Sequence, residues 1–320
     1  MEGIRDELLS GNFFEAGKKS KLWLQSFSYS EKKSPQYKKA AEAFVYSQYF
    51  LHRQDRIFRM QTDDQRARYY LELLKELNQI RAENGFEKAD NPVWNSVDLY
   101  LHARIAENYA RAFAGQKSYN LDQDEIIQFS VSLLVLEKWN AAIEALDFLL
   151  RLNRHSPVIN YLMSYAYDKS GQKIKSHFHL REALFFKPDV ISQYPEFLTG
   201  DIFEKIWHSS YNEEGADAAG KSRYSEFSLL LEINGVYKSN LDISEKELLN
   251  IERNFLDKYS LYEKDKKNSK TDISELLRYL CWLISSYQSL AVYDKVEFYR
   301  KKMIDISPET WETFHSKRIQ

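Results

Sequence analysis

The eight residues GADAAGKS, Gly215 to Ser222, match the spacing G-x-x-x-x-G-K-S. In a phosphate-binding loop of this pattern the glycines let successive backbone N–H groups wrap the phosphates. The lysine reaches the outer phosphates and the hydroxyl serves a bound Mg²⁺. That chemistry requires a buried strand before the loop, a helix after it, and an acidic residue at the end of a second parallel strand. Here the preceding residues, IWHSSYNEE, are polar, and Ala218 and Ala219 favour helix over an open cradle. The next apolar run with an acid, SLLLE ending at Glu232, follows Lys221 too soon for a crossover. The positioning elements are missing, so the stretch reads as a loop and a helix start. Nucleotide binding through Lys221 and Ser222 is the alternative to the reading developed below.

Other reactive side chains are equally isolated. His177 and His179 are two residues apart and point to different faces of a helix. Glu312 with His315 has no matching second pair to build a carboxylate-bridged metal site. Cys281, the single cysteine, sits in the apolar run LCWLI as a small core filler. No serine nucleophile elbow or paired-carboxylate cleft can be assigned. The expectation is a chain that is not an enzyme, with no cofactor and no metal.

The composition says which elements hold these residues. Of 320 residues, 43% are apolar and 15% aromatic, enough for a large core, while only 10 Gly and 6 Pro are present. That is too few for the tight turns of an all-β or doubly wound α/β protein and suits helices joined by short polar turns. The 45 Lys and Arg against 47 Asp and Glu leave a net charge of -2, so no nucleic acid partner and no anionic lipid surface is expected. No apolar run approaches the roughly 20 residues of a membrane span, so no membrane insertion is expected. The start MEGIRDELLS is acidic and amphipathic. The chain as it stands reads as cytoplasmic, or as bacterial periplasmic if a signal segment was removed.

Helix starts recur along the sequence. Ser34-Pro35, Asn91-Pro92, Ser156-Pro157 and Ser307-Pro308 each put a capping side chain before a proline at the first helical position. Ser244 and Glu247 form a capping box. In KWNAAIEALDFLLRLNR, Trp139, Ala142, Ile143, Leu146, Leu149 and Leu150 share one helical face. The segment 157–190 repeats this pattern at an offset of 34 residues, aligning Ala142 with Ser176, Leu146 with Leu180, Leu149 with Ala183 and Ser130 with Ser164.

On these residues the chain resembles the tetratricopeptide repeat family. Met163 and Ser164 stand for the family's Leu-Gly pair, Tyr167 for its Tyr, and Gly171 for the turn. Ser176 and Ala183 are its small crossing residues, Leu180 replaces its Phe, and Pro188 closes the repeat. Asn160 departs from the family's Trp, and the repeat 123–156 has Glu137 at its turn. Weaker echoes include Gly11, Phe13 and Ala16, then Leu283, Tyr287, Tyr293, Val296, Met303 and Pro308. The resemblance implies an all-α, right-handed superhelical solenoid of antiparallel helix pairs, about fourteen helices. Its organisation would be degenerate hairpins over 1–120, two clear repeats over 121–190, and further repeats over 191–320 with a charged loop near 262–272 and a capping helix 308–320.

The family's concave surface is lined by the first helix of each pair. Matching those positions gives Asp124, Ile127 and Val131, then Val158, Tyr161, Tyr165 and Asp168, an apolar and aromatic surface with acidic edges. It suits a partner protein or peptide with an apolar face, although cover by the chain's own helices is an equal reading for Tyr161 and Tyr165. The Lys, Arg and Asn of a carboxylate clamp are absent, which argues against a heat-shock co-chaperone. The resemblance implies a non-enzymatic scaffold, a possible subunit of an assembly. A second alternative is a structural subunit of a bacterial envelope or flagellar assembly; in texture the chain resembles the repeat scaffolds of the spirochaete periplasmic flagellar collar, with no single motif carrying the likeness.

Overall fold

The computed structural model describes residues 1–84, 91–114, 122–198, 203, 205–207, 220–237, 244–264 and 272–317. The fold is all-α, and no strand occurs among the described residues. Two compact units are present, Met1–Ala145 and Leu146–Gln320, so the boundary falls inside the 121–190 segment.

The first unit contains α1 (Glu2–Ser10), α2 (Phe13–Gln25), α3 (Pro35–Leu51), a short α4 (Gln54–Arg59), α5 (Asp63–Glu83), α6 (Pro92–Ala114), α7 (Gln123–Val135) and the start of α8 (Trp139–Leu152). The second continues with α9 (Pro157–Lys169), α10 (Lys173–Phe186), two 3₁₀ turns at Pro188–Gln193 and Pro195–Phe197, α11 (Gly220–Ile233), α12 (Glu245–Lys264), α13 (Ile273–Ser289), α14 (Tyr293–Ile306) and α15 (Pro308–Ser316). No described helix is long and apolar enough to cross a membrane.

Helix starts follow local chemistry. The hydroxyl of Ser34 accepts from Tyr37 N, the side-chain oxygen of Asn91 accepts from Val93 N and Trp94 N, and the hydroxyl of Ser307 accepts from Thr310 N. Pro157 also opens a helix, but Ser156 makes no side-chain cap.

Four hairpins share one turn. Gly11 (φ 79°), Glu137 (59°), Gly171 (79°) and Ala291 (57°) are left-handed, and in each case a new helix begins two residues later. The N–H after each of them reaches the carbonyl five residues back: Asn12 to Glu7, Lys138 to Leu133, Gln172 to Tyr167, Val292 to Tyr287. This Schellman bond satisfies carbonyls that a helix end leaves orphaned. The 34-residue period is thus visible as backbone geometry at Glu137 and Gly171.

In the first unit α1, α3, α5 and α7 all pack on α6. Phe13 and Phe50 stack at 4.1 Å, and the Tyr100 ring of α6 meets them edge-on at 5.0 and 5.7 Å. A strictly linear stack makes only neighbour contacts, so α1 on α6 is a longer-range closure. Buried Glu42 is held by Tyr46 Oη (2.8 Å) and Asn91 Nδ2 (2.7 Å).

In the second unit α9 and α10 cross at Ser164 and Ser176, whose hydroxyls lie 3.3 Å apart. The central α13 packs on α11, α12 and α14, and Cys281 is fully buried in that core. Polar ties join these helices. Glu252 of α12 accepts from Tyr287 (2.8 Å), Lys295 (2.5 Å) and Tyr299. Arg181 of α10 forks onto Glu232 of α11 at 2.6 and 2.9 Å, and Trp282 Nε1 donates to the same carboxylate at 3.1 Å.

Candidate functional site

A pocket of about 160 Å³ opens in the second unit, lined by His155, Glu182, Phe186, Glu247, Asn250, Ile251, Asn254 and Trp282. Each helix contributes one face: Glu182 and Phe186 are four apart on α10, and Glu247, Asn250, Ile251 and Asn254 recur at helical spacing on α12. Trp282 comes from α13 and stacks on Phe185 at 3.7 Å, which fixes the apolar wall.

His155 lies in the loop between α8 and α9, and a buried amide anchors that loop. Asn160 Nδ2 donates to the carbonyls of Arg154 (2.9 Å) and Ser156 (3.0 Å) on either side of His155. Its Oδ1 lies 2.8 Å from Nδ1 of His179, a buried imidazole stacked on Tyr167. Burial, helped by Lys175, lowers the His179 pKa to about 4, so the ring is neutral and Nδ1–H donates. Asn160, the departure from the family pattern, therefore positions the loop that carries His155.

His155 bridges two carboxylates. Its Nε2 is 2.6 Å from Glu247 and its Nδ1 is 3.4 Å from Glu182. Glu247 also closes the capping box of α12, taking Ser244 N–H at 2.8 Å and the Ser244 hydroxyl at 2.7 Å. Burial alone would raise its pKa, but the Ser244 and His155 hydrogen bonds outweigh that and bring it to about 2. Burial pushes the Glu182 carboxyl above the ordinary range against the pull of His155, Arg154 and Arg181. Two carboxylates thus share one imidazole, one firmly ionised and one held towards its neutral form.

Both ring nitrogens of His155 are engaged, so neither is open to take a substrate proton. Among the described residues, the lining holds no serine, threonine, cysteine or lysine that could serve as a nucleophile. The two nitrogens face different carboxylates, and no group of three or more metal-ligating side chains occurs among the described residues.

The seven residues expected from the sequence lie elsewhere. Asp124, Ile127 and Val131 belong to the first unit, where Asp124 is exposed but Ile127 and Val131 are buried. Val158, Tyr161, Tyr165 and Asp168 belong to the second. Val158 is half-buried. Tyr161 is 1% exposed and donates its hydroxyl to the Tyr194 carbonyl at 3.2 Å. Tyr165 packs 4.8 Å from Phe197, and Asp168 pairs with Lys173 across the turn. The gap beside Tyr165 and Asp168, bounded by Phe197 and Phe203, holds about 10 Å³, room for a single water. The chain's own 188–197 segment covers this face, so Tyr161 has no surface to offer a partner. Ile127 and Val131 are likewise sealed, because both side chains contribute to the core.

Of GADAAGKS, residues 215–219 lie outside the described residues, and Gly220 opens α11. The pocket residues had weak signals in the sequence. Glu247 was legible only as a cap, while Glu182 stands out as an acid inside the apolar run EALFF. Comparison with family models, with curated proteins and with solved structures finds no match.

Proposed function

We propose that the chain is a non-enzymatic helical scaffold of tetratricopeptide type, which holds a segment of a protein partner within an assembly. The observation that carries this reading is the pocket of the second unit. It is large enough for one side chain, walled by Trp282, Phe186 and Ile251, and rimmed by polar groups, with both ring nitrogens of His155 engaged. A preformed apolar pocket with a few convergent polar groups is the usual form of an anchor site. Two further observations support it. The recurrent left-handed turn builds several hairpins alike, as a repeat scaffold requires. Of the expected surface, Tyr161 and Tyr165 are covered by Tyr194 and Phe197, which leaves the pocket as the better candidate for the contact.

The test is selection of displayed random peptides on the full chain, with Asn254→Arg as the competitor variant. Asn254 is on the exposed rim, so the change blocks the pocket without entering the core. Peptides that bind the native chain in the micromolar range and are lost by the variant support the reading. Failure of any peptide to bind overturns it.

A further inference from the structure

The pocket has a sign as well as a shape. Its carboxylates are Glu182 and Glu247, and among the described residues the only basic group that lines it is His155, already committed to both. Asn250 and Asn254 add amide carbonyls, which accept hydrogen bonds, on the exposed side. Glu182 is only 5% exposed, yet it lines the pocket, and among the described residues its carboxylate hydrogen-bonds to His155, at Oε2. Its Oε1 has no donor among the described residues. Glu182 lines the pocket, so a group placed there, or water, can donate to this oxygen.

The nearby cations do not fill that role. Arg181 spends its fork on Glu232, and Arg154, on the exposed loop, acts on Glu182 through its charge without lining the pocket. The wall opposite is Trp282, Phe186 and Ile251, and the exposed Phe186 ring is the part against which an aliphatic stem or a planar cation can lie. A pocket of about 160 Å³ matches the size of a cavity known to accept a benzene molecule, hence one side chain and not a helix.

Resting on the scaffold reading, we infer that the pocket between α10, α12 and α13 receives one arginine or lysine side chain of the partner, its stem on Phe186 and its head on Glu182. Guanidinium suits the site better than ammonium, because its planar fork can meet Glu182 and an asparagine carbonyl together and lie against Phe186.

The experiment uses the full chain labelled with 5-fluorotryptophan, with the Trp282 ¹⁹F signal assigned through Trp282→Phe. The probes are n-butylguanidinium and its neutral analogue n-butylurea. The guanidinium is expected to shift the Trp282 signal saturably, with n-butylurea at least tenfold weaker. Glu182→Gln keeps the shape and removes the charge, and is expected to weaken the guanidinium at least tenfold while circular dichroism stays native. Asn254→Arg supplies a cation in cis and is expected to abolish the shift. Equal binding of urea and guanidinium, or an unchanged affinity in Glu182→Gln, overturns the inference. The two readings fail separately. Selected peptides that lack a basic anchor, and that bind Glu182→Gln as well as native, overturn the cation assignment and leave the scaffold. Saturable guanidinium binding with no peptide bound keeps the pocket assignment and overturns the scaffold.

Discussion

Replacing the left-handed turn residues separates backbone strain from packing. Gly171 has φ 79°, and a Cβ built on it meets nothing within 4 Å. Gly171→Ala therefore costs only the left-handed conformation of an L-residue, about 1–2 kcal/mol. Gly11 has the same φ, but its Cβ would stand 2.6 Å from the Tyr100 ring. That ring is buried and held by Phe13, Phe50 and Tyr70, so it cannot swing aside without disturbing the α6 core. Gly11→Ala adds an overpacking cost of about 1–3 kcal/mol, for a total of roughly 2–5 kcal/mol. The reverse change, Ala291→Gly, relieves a non-glycine φ of 57° and is expected to stabilise the second unit by about 0.5–1 kcal/mol, the gain being limited by glycine's greater freedom in the unfolded chain. Urea unfolding followed by far-ultraviolet circular dichroism measures all three, with hydrogen exchange assigning each loss to its unit. Equal costs for Gly11→Ala and Gly171→Ala, or a destabilised Ala291→Gly, would refute the reasoning.

Further outcomes follow from the buried polar groups of the second unit. His179 is neutral when folded and its pKa drops from 6.5 to about 4, so its contribution is complete above pH 6.5 and is lost as pH falls towards 4. This loss reaches up to about 3 kcal/mol, and His179→Gln, which can still donate to Asn160, should flatten the stability profile over that window. Glu182 is raised, so its burial weakens the fold as pH rises above the ordinary carboxylate range. Glu182→Gln is expected to match the native chain at pH 4 and to exceed it in thermal midpoint at pH 8. Arg181→Met strands the buried Glu232 carboxylate and should cost about 3–5 kcal/mol in urea unfolding. The double variant with Glu232→Gln keeps an acceptor for Trp282 and should recover most of that loss.

The helical class, the capped starts at Pro35, Pro92 and Pro308, and the turn at Gly171 were legible in the sequence. Each is a matter of residues within about five positions of one another, and backbone hydrogen bonding in helices and their ends is local in the same way. The spacing of 34 residues carried the hairpins for the same reason, down to the shared turn geometry at Glu137 and Gly171. What covers a helix face is not local. Tyr161 had the position of a groove residue, and only the fold brought Tyr194 and Phe197 over that face to bury it and pack on Tyr165. The pocket is more distant still, since His155 and Glu247 are 92 positions apart and meet at 2.6 Å. Local pattern determined which residues form helices; tertiary packing alone decided which polar side chains left water together, because burial and pairing depend on neighbours that sequence spacing does not specify.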